Sequence, residues 1–223
     1  SSEGRVWLIG SERIASKSYI DRNDMRSVYK AKPRAYKILK RSFDVVASAG
    51  ALVVLTPVLL MTSLAIVVDD GLPIIYAAPR EGKDEKPFTM YKFRSMHVDA
   101  ESRLEELLGQ NEQKAFKIAN DPRITRVGAF IRKTSIDELP QLVNIIKGDM
   151  SIVGPRPIQR LQEFTTYEKQ RLLVRPGLVC YWQVSGRSLI DWDEWVELDL
   201  DYIQDMGILT DLKIIWRAFG AVV

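Results

Sequence analysis

The stretch Val45–Val68 reads VVASAGALVVLTPVLLMTSLAIVV and carries no charge over its whole length. At about 1.5 Å per residue, a helix of this length reaches roughly 36 Å, which exceeds the ~30 Å hydrocarbon core of a bilayer. The run lies too far from the first residue, and lacks the small-residue cleavage pattern, to be a removable signal peptide. The sequence therefore predicts a membrane-embedded helix. The alternative is a buried core helix of a soluble protein.

A proline interrupts this run near its middle, where Thr56 precedes Pro57. A proline inside a helix removes one backbone hydrogen bond and presses against the preceding turn. We therefore predict that the membrane helix breaks or turns at Thr56-Pro57.

The charges on both sides of the run favour the same side of a membrane. Lys37, Lys40 and Arg41 precede the run. A second basic group follows it: Arg80, Lys83, Lys86, Lys92 and Arg94. Lysine and arginine near membrane helices favour the cytoplasmic side. We therefore predict a re-entrant helix over residues 36–70 that returns to the cytoplasmic face; an ordinary proline-kinked span is the alternative.

The composition of the whole chain is that of a globular protein. Of its 223 residues, 46% are hydrophobic and 27% are charged, and the net charge is +3. These values exclude wholesale disorder and collagen-like repetition. The small net charge gives no reason to expect a nucleic-acid partner. Cys180 is the only cysteine, so no disulfide can form within the chain.

Outside the apolar run, short strands alternate with amphipathic helices. Residues 1–35 mix a strand-like stretch with polar sequence, and we expect a linker or the end of a preceding domain. Ile74–Ala77 and Phe88–Phe93 can pair as a hairpin. Three stretches have apolar side chains at helical spacing: 99–116, 123–133 and 137–146. We therefore expect an α-rich α+β fold, with a small catalytic domain over residues 71–223.

Tryptophans concentrate towards the C-terminal end. Four of the five lie beyond Tyr181: Trp182, Trp192, Trp195 and Trp216. With Leu212, Ile214 and Ile215 they predict short amphipathic helices that lie in a membrane interface. Packing in the core of a small domain is the alternative for each tryptophan.

The adjacent carboxylates Asp137 and Glu138 are the strongest candidates for chemistry. At the start of a helix, free N–H groups and the helix dipole keep a carboxylate ionised, ready to bind a cation or to attack phosphorus. Pro140 favours a helix that begins near Asp137, because the first turn tolerates proline. The alternative is structural, since Ser135 followed by Glu138 is also a capping-box pattern.

Basic side chains in conformationally restricted places form a second candidate set. They are Arg80, Lys92, Arg94, Arg123, Arg132, Arg156, Arg175 and Arg187, each beside a glycine, proline, aromatic residue or turn. Guanidinium groups held in this way suit the oxygens of a diphosphate. Solvated surface charge is the alternative for each of them.

Metal-binding patterns are few. Asp191-Trp192-Asp193 and Asp199-Leu200-Asp201 have the Asp-x-Asp spacing with which many nucleotide-sugar enzymes hold a divalent metal. His97 is the only histidine, which excludes a site built from several histidines. The sequence contains neither a Walker-type phosphate loop nor a dinucleotide-binding glycine fingerprint.

The segment Thr134–Leu142, with Lys147–Ser151 and Val153–Pro157 after it, closely resembles the bacterial sugar transferase family, the monotopic polyprenyl-phosphate phosphoglycosyl transferases. The likeness runs from about residue 37 to the C-terminus. It includes Lys40-Arg41 with Asp44, Tyr91–Met96, Asp121-Pro122-Arg123, Val174–Gly177 and Gln183–Arg187. The chain departs from the family at Ala78, where glutamine is usual, and at Val179–Trp182.

The resemblance implies a two-step exchange on the cytoplasmic face of the bacterial inner membrane. In the family, the aspartate attacks the sugar-side phosphorus of a UDP-sugar, UMP leaves, and undecaprenyl phosphate takes the phosphosugar from the covalent intermediate. Carried onto this chain, the resemblance makes Asp137 the nucleophile and a magnesium ligand, and Glu138 the residue that orients or assists it. The reaction would be the first membrane step of polysaccharide or glycoconjugate synthesis.

The resemblance also implies the contacts and partners of such a site. Candidate ligands of the substrate phosphates are Lys92, Arg94, Arg132, Arg156, Arg175 and Arg187. The expected partners are a UDP-sugar, polyprenyl phosphate and membrane lipid, and a homodimer stays open. Two other functions also stay open: a metal-dependent glycosyltransferase that uses Asp-x-Asp and releases UDP, and a non-catalytic membrane-anchored module that binds anionic lipid.

Overall fold

The computed structural model describes residues 24–100, 102, 121–159, 164–184 and 192–222. These residues form a mostly helical α+β fold with two small two-stranded sheets. This confirms the expected α-rich α+β class. The strand-like stretch expected before residue 24, and most of the helix expected over residues 99–116, lie outside the described residues.

Helices and strands do not alternate regularly along the chain. The α-helices are α1 (Met25–Ala31), α2 (Arg34–Val54), α3 (Thr56–Asp70), α4 (Arg126–Lys133), α5 (Gln141–Lys147), α6 (Tyr181–Val184), α7 (Trp192–Asp205) and α8 (Ile208–Val222). The strands are β1 (Ile75–Glu81), β2 (Pro87–Phe93), β3 (Ser151–Val153) and β4 (Gly177–Val179). Short 3-10 helices lie at Lys83–Glu85, Ile136–Glu138 and Glu168–Leu173.

The uncharged run forms α2 and α3, which meet at Leu55 with a bend of 62°. Thr56 and Pro57 directly follow the bend and occupy the first turn of α3, where a proline removes no intrahelical hydrogen bond. Within the described part of the chain, no single helix is long and apolar enough to cross a membrane. The bent α2–α3 pair meets both requirements when its two helices are taken together.

Apolar side chains of this pair face outward. Val46, Val54, Met61 and Val68 are 72%, 76%, 73% and 79% exposed. A buried core helix of a soluble protein would cover such side chains, so that alternative does not describe α2 and α3. An exposed apolar surface of this kind marks a contact with a membrane or with another protein.

The hairpin expected from the sequence is present. β1 and β2 pair antiparallel, with Ile75 opposite Phe93 and Glu81 opposite Pro87. Met90 and Phe93 of β2 are buried on its two opposite faces, and Lys92, on the same face as Met90, is half-buried. The hairpin therefore carries one of the candidate cations towards the rest of the domain.

The largest buried cluster joins α7 and α8 to the first described helix. Leu200 and Ile203 of α7 pack there with Met25 of α1, which is 1% exposed. The Met25 N–H donates to Gln170 Oε1 at 2.8 Å. Residues 25–31, within the stretch expected to be a linker or the end of a preceding domain, thus pack into this core.

Candidate active site

Asp137 and Glu138 lie in a single 3-10 turn, Ile136–Glu138, between α4 and α5. The prediction that an α-helix begins near Asp137 is wrong, because α5 begins at Gln141 with Pro140 just before it. Pro140 has no N–H with which to continue the hydrogen bonds of the turn, which end at the Leu139 N–H. Ser135 takes a left-handed φ of 57° and forms no side-chain cap, so the capping-box alternative is also wrong.

Side chains, rather than a helix terminus, therefore set the electrostatics of this turn. Lys92 Nζ forms a salt bridge with Glu138 Oε1 at 2.8 Å, and both side chains are about one-fifth exposed. Burial raises the pKa of Asp137. The positive charge of Lys92 opposes this shift, Glu138 adds to it, and Arg132 opposes it. Asp137 is thus a half-buried carboxylate on which the charges of two cations, Lys92 and Arg132, act.

A buried amide holds the lysine strand against the helix that follows the carboxylates. Asn144 of α5 is fully buried. Its Nδ2 donates to the Thr89 carbonyl at 2.7 Å, and its Oδ1 accepts from the Tyr91 N–H at 3.0 Å. Because Tyr91 directly precedes Lys92 and Thr89 lies in the same strand, these bonds fix the position of β2 relative to α5 and to the turn before it. Asn144 belongs to the stretch that resembles the family, but the sequence did not predict this role, since a single asparagine in an amphipathic pattern gives no signal of its partners.

Arg156 lies on the loop that leaves β3. Its guanidinium stands 5.0 Å from the centre of the Trp182 ring and 6.0 Å from that of Trp195. The two indoles stack on each other with their centres 5.7 Å apart. Cation–π contacts of this kind restrain a guanidinium without neutralising its charge. Trp182 and Trp195 are therefore packed in the domain, whereas Trp216 is 80% exposed on α8.

A fully buried ion pair supports the backbone of Arg156. Arg171 and Asp199 are each 1% exposed and form a salt bridge through Nη2 and Oδ2. Arg171 Nη2 also donates to the Arg156 carbonyl at 3.2 Å, and the Asp199 carboxylate faces the Arg156 N–H. Burial raises the pKa of Asp199 to about 6. Sequence reasoning did not single out Arg171, because its partner lies far along the chain, in α7.

This ion pair also bears on the metal site predicted at Asp199-Leu200-Asp201. Asp199 is enclosed with Arg171 and cannot offer a solvent-accessible metal ligand, so the metal-binding interpretation of Asp199-Leu200-Asp201 is wrong. Asp191 lies outside the described residues. Throughout the described ranges, no group of three or more His, Cys, Asp and Glu side chains is placed to hold a metal.

The charges of several site residues act on the buried thiol of Cys180. Burial raises the pKa of its thiol to about 12, and the charges of Asp199, Arg156 and Glu138 all act on it. The charges of Arg156 and Glu138 therefore both act on one buried thiol. Of the predicted phosphate ligands, Lys92 and Arg132 act on the pKa of Asp137, whereas Arg156 acts on that of Cys180.

The other predicted phosphate ligands lie elsewhere. Arg94 is buried, pairs with Asp70, and donates to the carbonyls of Pro73 and Gly71 at 2.6 Å each. These contacts occupy its guanidinium and tie β2 to the end of α3, so we do not retain it as a phosphate ligand. Arg175 donates its Nε–H to the Gly148 carbonyl at 2.6 Å and lines a separate cavity. Arg187 lies outside the described residues.

Together these features define an α+β domain joined to a bent, outward-facing apolar helix pair, with a carboxylate pair of which Glu138 is bound by Lys92. The chain belongs to the bacterial sugar transferase family, whose sequence profile matches residues 35–223.

Relatives of known name agree with this membership. An uncharacterized sugar transferase of Haemophilus influenzae is 44% identical over 195 residues, covering 83% of this chain and 41% of the relative. The undecaprenyl-phosphate galactose phosphotransferase of Salmonella typhimurium is 42% identical over 192 residues, or 82% of this chain and 40% of that protein. The exopolysaccharide production protein ExoY of Rhizobium meliloti is 40% identical, with 82% of this chain matching 84% of ExoY. The chain thus spans less than half the length of the first two.

Proposed function

We propose that this chain transfers a phosphosugar from a UDP-sugar to undecaprenyl phosphate, as the first membrane step of polysaccharide or glycoconjugate synthesis. The observation that carries the proposal is the half-buried Asp137 in a turn whose neighbour Glu138 is held by Lys92. The relative from Salmonella typhimurium that is named for such a transfer supports it. The buried Asp199 removes one support for the alternative Asp-x-Asp glycosyltransferase.

In the first proposed step, an oxygen of Asp137 forms a bond to the phosphorus that carries the sugar. The bond from that phosphorus to the oxygen bridging it to UMP breaks, and UMP leaves with the electron pair. Lys92, Arg132 and Arg156 are proposed to contact the diphosphate oxygens, where their charges offset the charge that gathers in the transition state. Lys92 also holds Glu138 beside the nucleophile.

In the second proposed step, a phosphate oxygen of undecaprenyl phosphate attacks the same phosphorus. The bond to Asp137 breaks, the electron pair returns to the carboxylate, and the lipid diphosphosugar is released. A carboxylate suits both steps, because it is a nucleophile in the first and a stable leaving group in the second.

We further propose Asp137 as the protein ligand of magnesium. Among the described residues, Asp137 forms no salt bridge, whereas Glu138 is occupied by Lys92. Mg²⁺ commonly takes one or two protein carboxylates and completes its shell with substrate phosphates and water, so a single carboxylate beside a diphosphate fits the ion. Bound there, the ion would offset the repulsion between the carboxylate and the diphosphate.

We also propose that α2 and α3 form a re-entrant anchor with both ends on the cytoplasmic face. Arg41 near the start of α2 donates to the Ile145 and Ile146 carbonyls at 2.6 and 2.9 Å. At the other end, Asp70 pairs with Arg94. Both ends of the pair are thus attached to one domain, which supports a return of the chain to the side from which it entered.

Cysteine labelling tests this topology. Ala35→Cys before the apolar run and Tyr76→Cys after it replace exposed side chains, and the native Cys180 is buried. We expect a membrane-impermeant maleimide to label both variants in inverted membrane vesicles and neither in intact spheroplasts. Val98→Cys, on the exposed surface of the domain, is the matched control. Labelling of the two positions from opposite sides would contradict the re-entrant anchor.

The nucleotide released by the chain tests the proposed reaction. The chain is incubated with magnesium, undecaprenyl phosphate and either UDP-galactose or UDP-glucose, and the products are separated by chromatography. UMP is the expected product. Release of UDP would favour the metal-dependent glycosyltransferase, and release of neither nucleotide would favour the lipid-binding module.

The rate is expected to rise with pH through the pKa of Asp137, because only the ionised carboxylate attacks phosphorus. Burial raises this pKa above the ordinary value of about 3.9, so the acid limb of kcat/KM should lie above that value. Lys92→Met removes an opposing positive charge and should move the limb to higher pH. Glu138→Gln removes a negative charge and should move it to lower pH. Identical acid limbs in the pH–rate profiles of all three proteins would contradict this assignment.

A further inference from the structure

A second basic site lies away from Asp137, beside the first half of α2. It is a cavity of about 50 Å³ between α2, β3 and the segment that leads into β4. Its lining includes four cations: Lys37, Lys40, Arg41 and Arg175. The charges that act on Asp137 are those of Lys92, Glu138 and Arg132, so the cations of this cavity belong to a separate site.

Two of these cations donate their hydrogen bonds to neutral carbonyls, although the charge of Asp44 also acts on Arg41. Arg41 donates to the Ile145 and Ile146 carbonyls, and Arg175 donates to the Gly148 carbonyl. These carbonyls lie at the C-terminal end of α5, where helix carbonyls lack intrahelical partners. Among the described residues, neither guanidinium forms a salt bridge, and their positive charges repel each other. The fold therefore brings two like charges together without a carboxylate hydrogen-bonded to either.

The carboxylates nearby are already engaged. Asp44 lines the cavity and accepts from Ser151 Oγ at 2.8 Å and from the Ile152 N–H at 3.0 Å. Asp211 pairs with Lys40 at 3.0 Å and accepts from the hydroxyls of two tyrosines, Tyr36 and Tyr202. Even with both carboxylates counted, the four cations leave an excess of positive charge around the cavity. An anion would remove the repulsion between Arg41 and Arg175.

We propose that this cavity binds the phosphate group of a membrane lipid. Arg41 lies four residues before Val45, where the uncharged run begins. The other face of the same half of α2 exposes the apolar side chains Ile38, Leu39 and Phe43, at 58%, 53% and 46%, which is consistent with this half of α2 lying at the membrane surface. A lipid whose headgroup lies at this depth can therefore place its phosphate among the cations while its chains extend towards the uncharged run. The inference rests on the proposed membrane placement of α2 and α3, and it does not depend on the chemistry at Asp137.

Thermal unfolding of the full chain in a zwitterionic detergent tests the site without any nucleotide sugar. The probes are phosphatidylglycerol and sodium phosphate, with uncharged diacylglycerol as the lipid control. A ligand that binds only the native state raises the unfolding temperature. We expect phosphatidylglycerol to raise it and diacylglycerol to leave it unchanged. Arg175→Gln should weaken the binding by about tenfold, and Arg175→Lys should restore part of it.

Two further variants keep the test decisive. Lys37→Gln removes a half-buried cation of the cavity and is expected to weaken binding, which provides an answer should Arg175→Gln unfold. Arg217→Gln removes the same charge from the exposed face of α8 and should leave binding unchanged. Undiminished stabilisation in both cavity variants, or an equal loss in the Arg217 control, would overturn the site. Stabilisation by sodium phosphate but not by phosphatidylglycerol would overturn the lipid as the source of the phosphate.

The proposed reaction is judged separately. A chain that binds lipid phosphate yet releases no UMP would retain this site and lose the proposed function. A chain that releases UMP with no stabilisation by any phosphate probe would retain the function and lose the site.

Discussion

Asp137→Asn is expected to abolish formation of a phosphosugar adduct on the protein and to lower UMP release by roughly 10⁴-fold or more, as expected for loss of a nucleophile. The amide has nearly the shape of the carboxylate but cannot attack phosphorus. Intact-mass spectrometry after incubation with UDP-sugar detects the adduct. Glu138→Gln is the matched control, because it keeps the nucleophile and removes only the partner of Lys92. It should form the adduct more slowly, and an adduct in Asp137→Asn would assign the nucleophile elsewhere.

The same variant should be more stable than the native protein at neutral pH. Because burial raises the pKa of Asp137, the protonated form is favoured in the folded state. The stability that this group contributes is complete below its ordinary pKa and is lost as the pH rises through the folded-state pKa. At pH 7 the ionised carboxylate therefore opposes folding, and the neutral amide relieves this cost. A lower Tm for Asp137→Asn at pH 7, with an unchanged fold, would contradict this account.

Arg171→Met is expected to cost about 3–5 kcal/mol of unfolding free energy, because it leaves the Asp199 carboxylate buried without its partner. The double variant Arg171→Met with Asp199→Leu should recover most of this loss, since apolar side chains of similar volume often replace a buried ion pair without penalty. Urea unfolding of the single and double variants measures both changes. Equal stability of the native protein and of Arg171→Met would show that the pair has no structural role.

The double variant should still lose activity, because the Arg156 carbonyl loses the donor Arg171 and its N–H loses the facing carboxylate. If these groups act only by positioning Arg156, the loss should disappear once Arg156 is itself removed. We therefore expect the double variant and Arg156→Ala to be non-additive in kcat/KM. Additive losses would assign the ion pair a separate effect.

The sequence correctly predicted those elements that depend on residues close to one another along the chain. The hairpin follows from alternation in β2, and α5 ends at Gly148, whose φ of 97° a glycine adopts without strain. The position of α5's first residue was predicted wrongly. The left-handed conformation of Ser135 and the 3-10 turn after it depend on packing, which no sequence period records.

The other wrong predictions concern charged residues whose partners lie far from them in the sequence. Arg94 resembles a free phosphate ligand in the sequence, but its partner Asp70 lies well before it, at the end of α3. Asp199 fits a metal-binding spacing, yet the fold encloses it with Arg171. A charged residue in a short motif does not reveal whether another charge will reach it. The sequence could therefore predict the carboxylate pair and Lys92, but not which of the arginines remain free.

The buried Asn144 has a consequence for the strand that carries the lysine. Side chains along a strand alternate between its faces, so a slip of β2 by one residue would turn Lys92 away and present Tyr91 or Phe93 to Glu138. Asn144 Nδ2 donates to the Thr89 carbonyl and Asn144 Oδ1 accepts from the Tyr91 N–H, and after a one-residue slip these two backbone groups would point to the other edge of the strand. The side-chain amide of Asn144 therefore determines which side chain of β2 contacts the carboxylates.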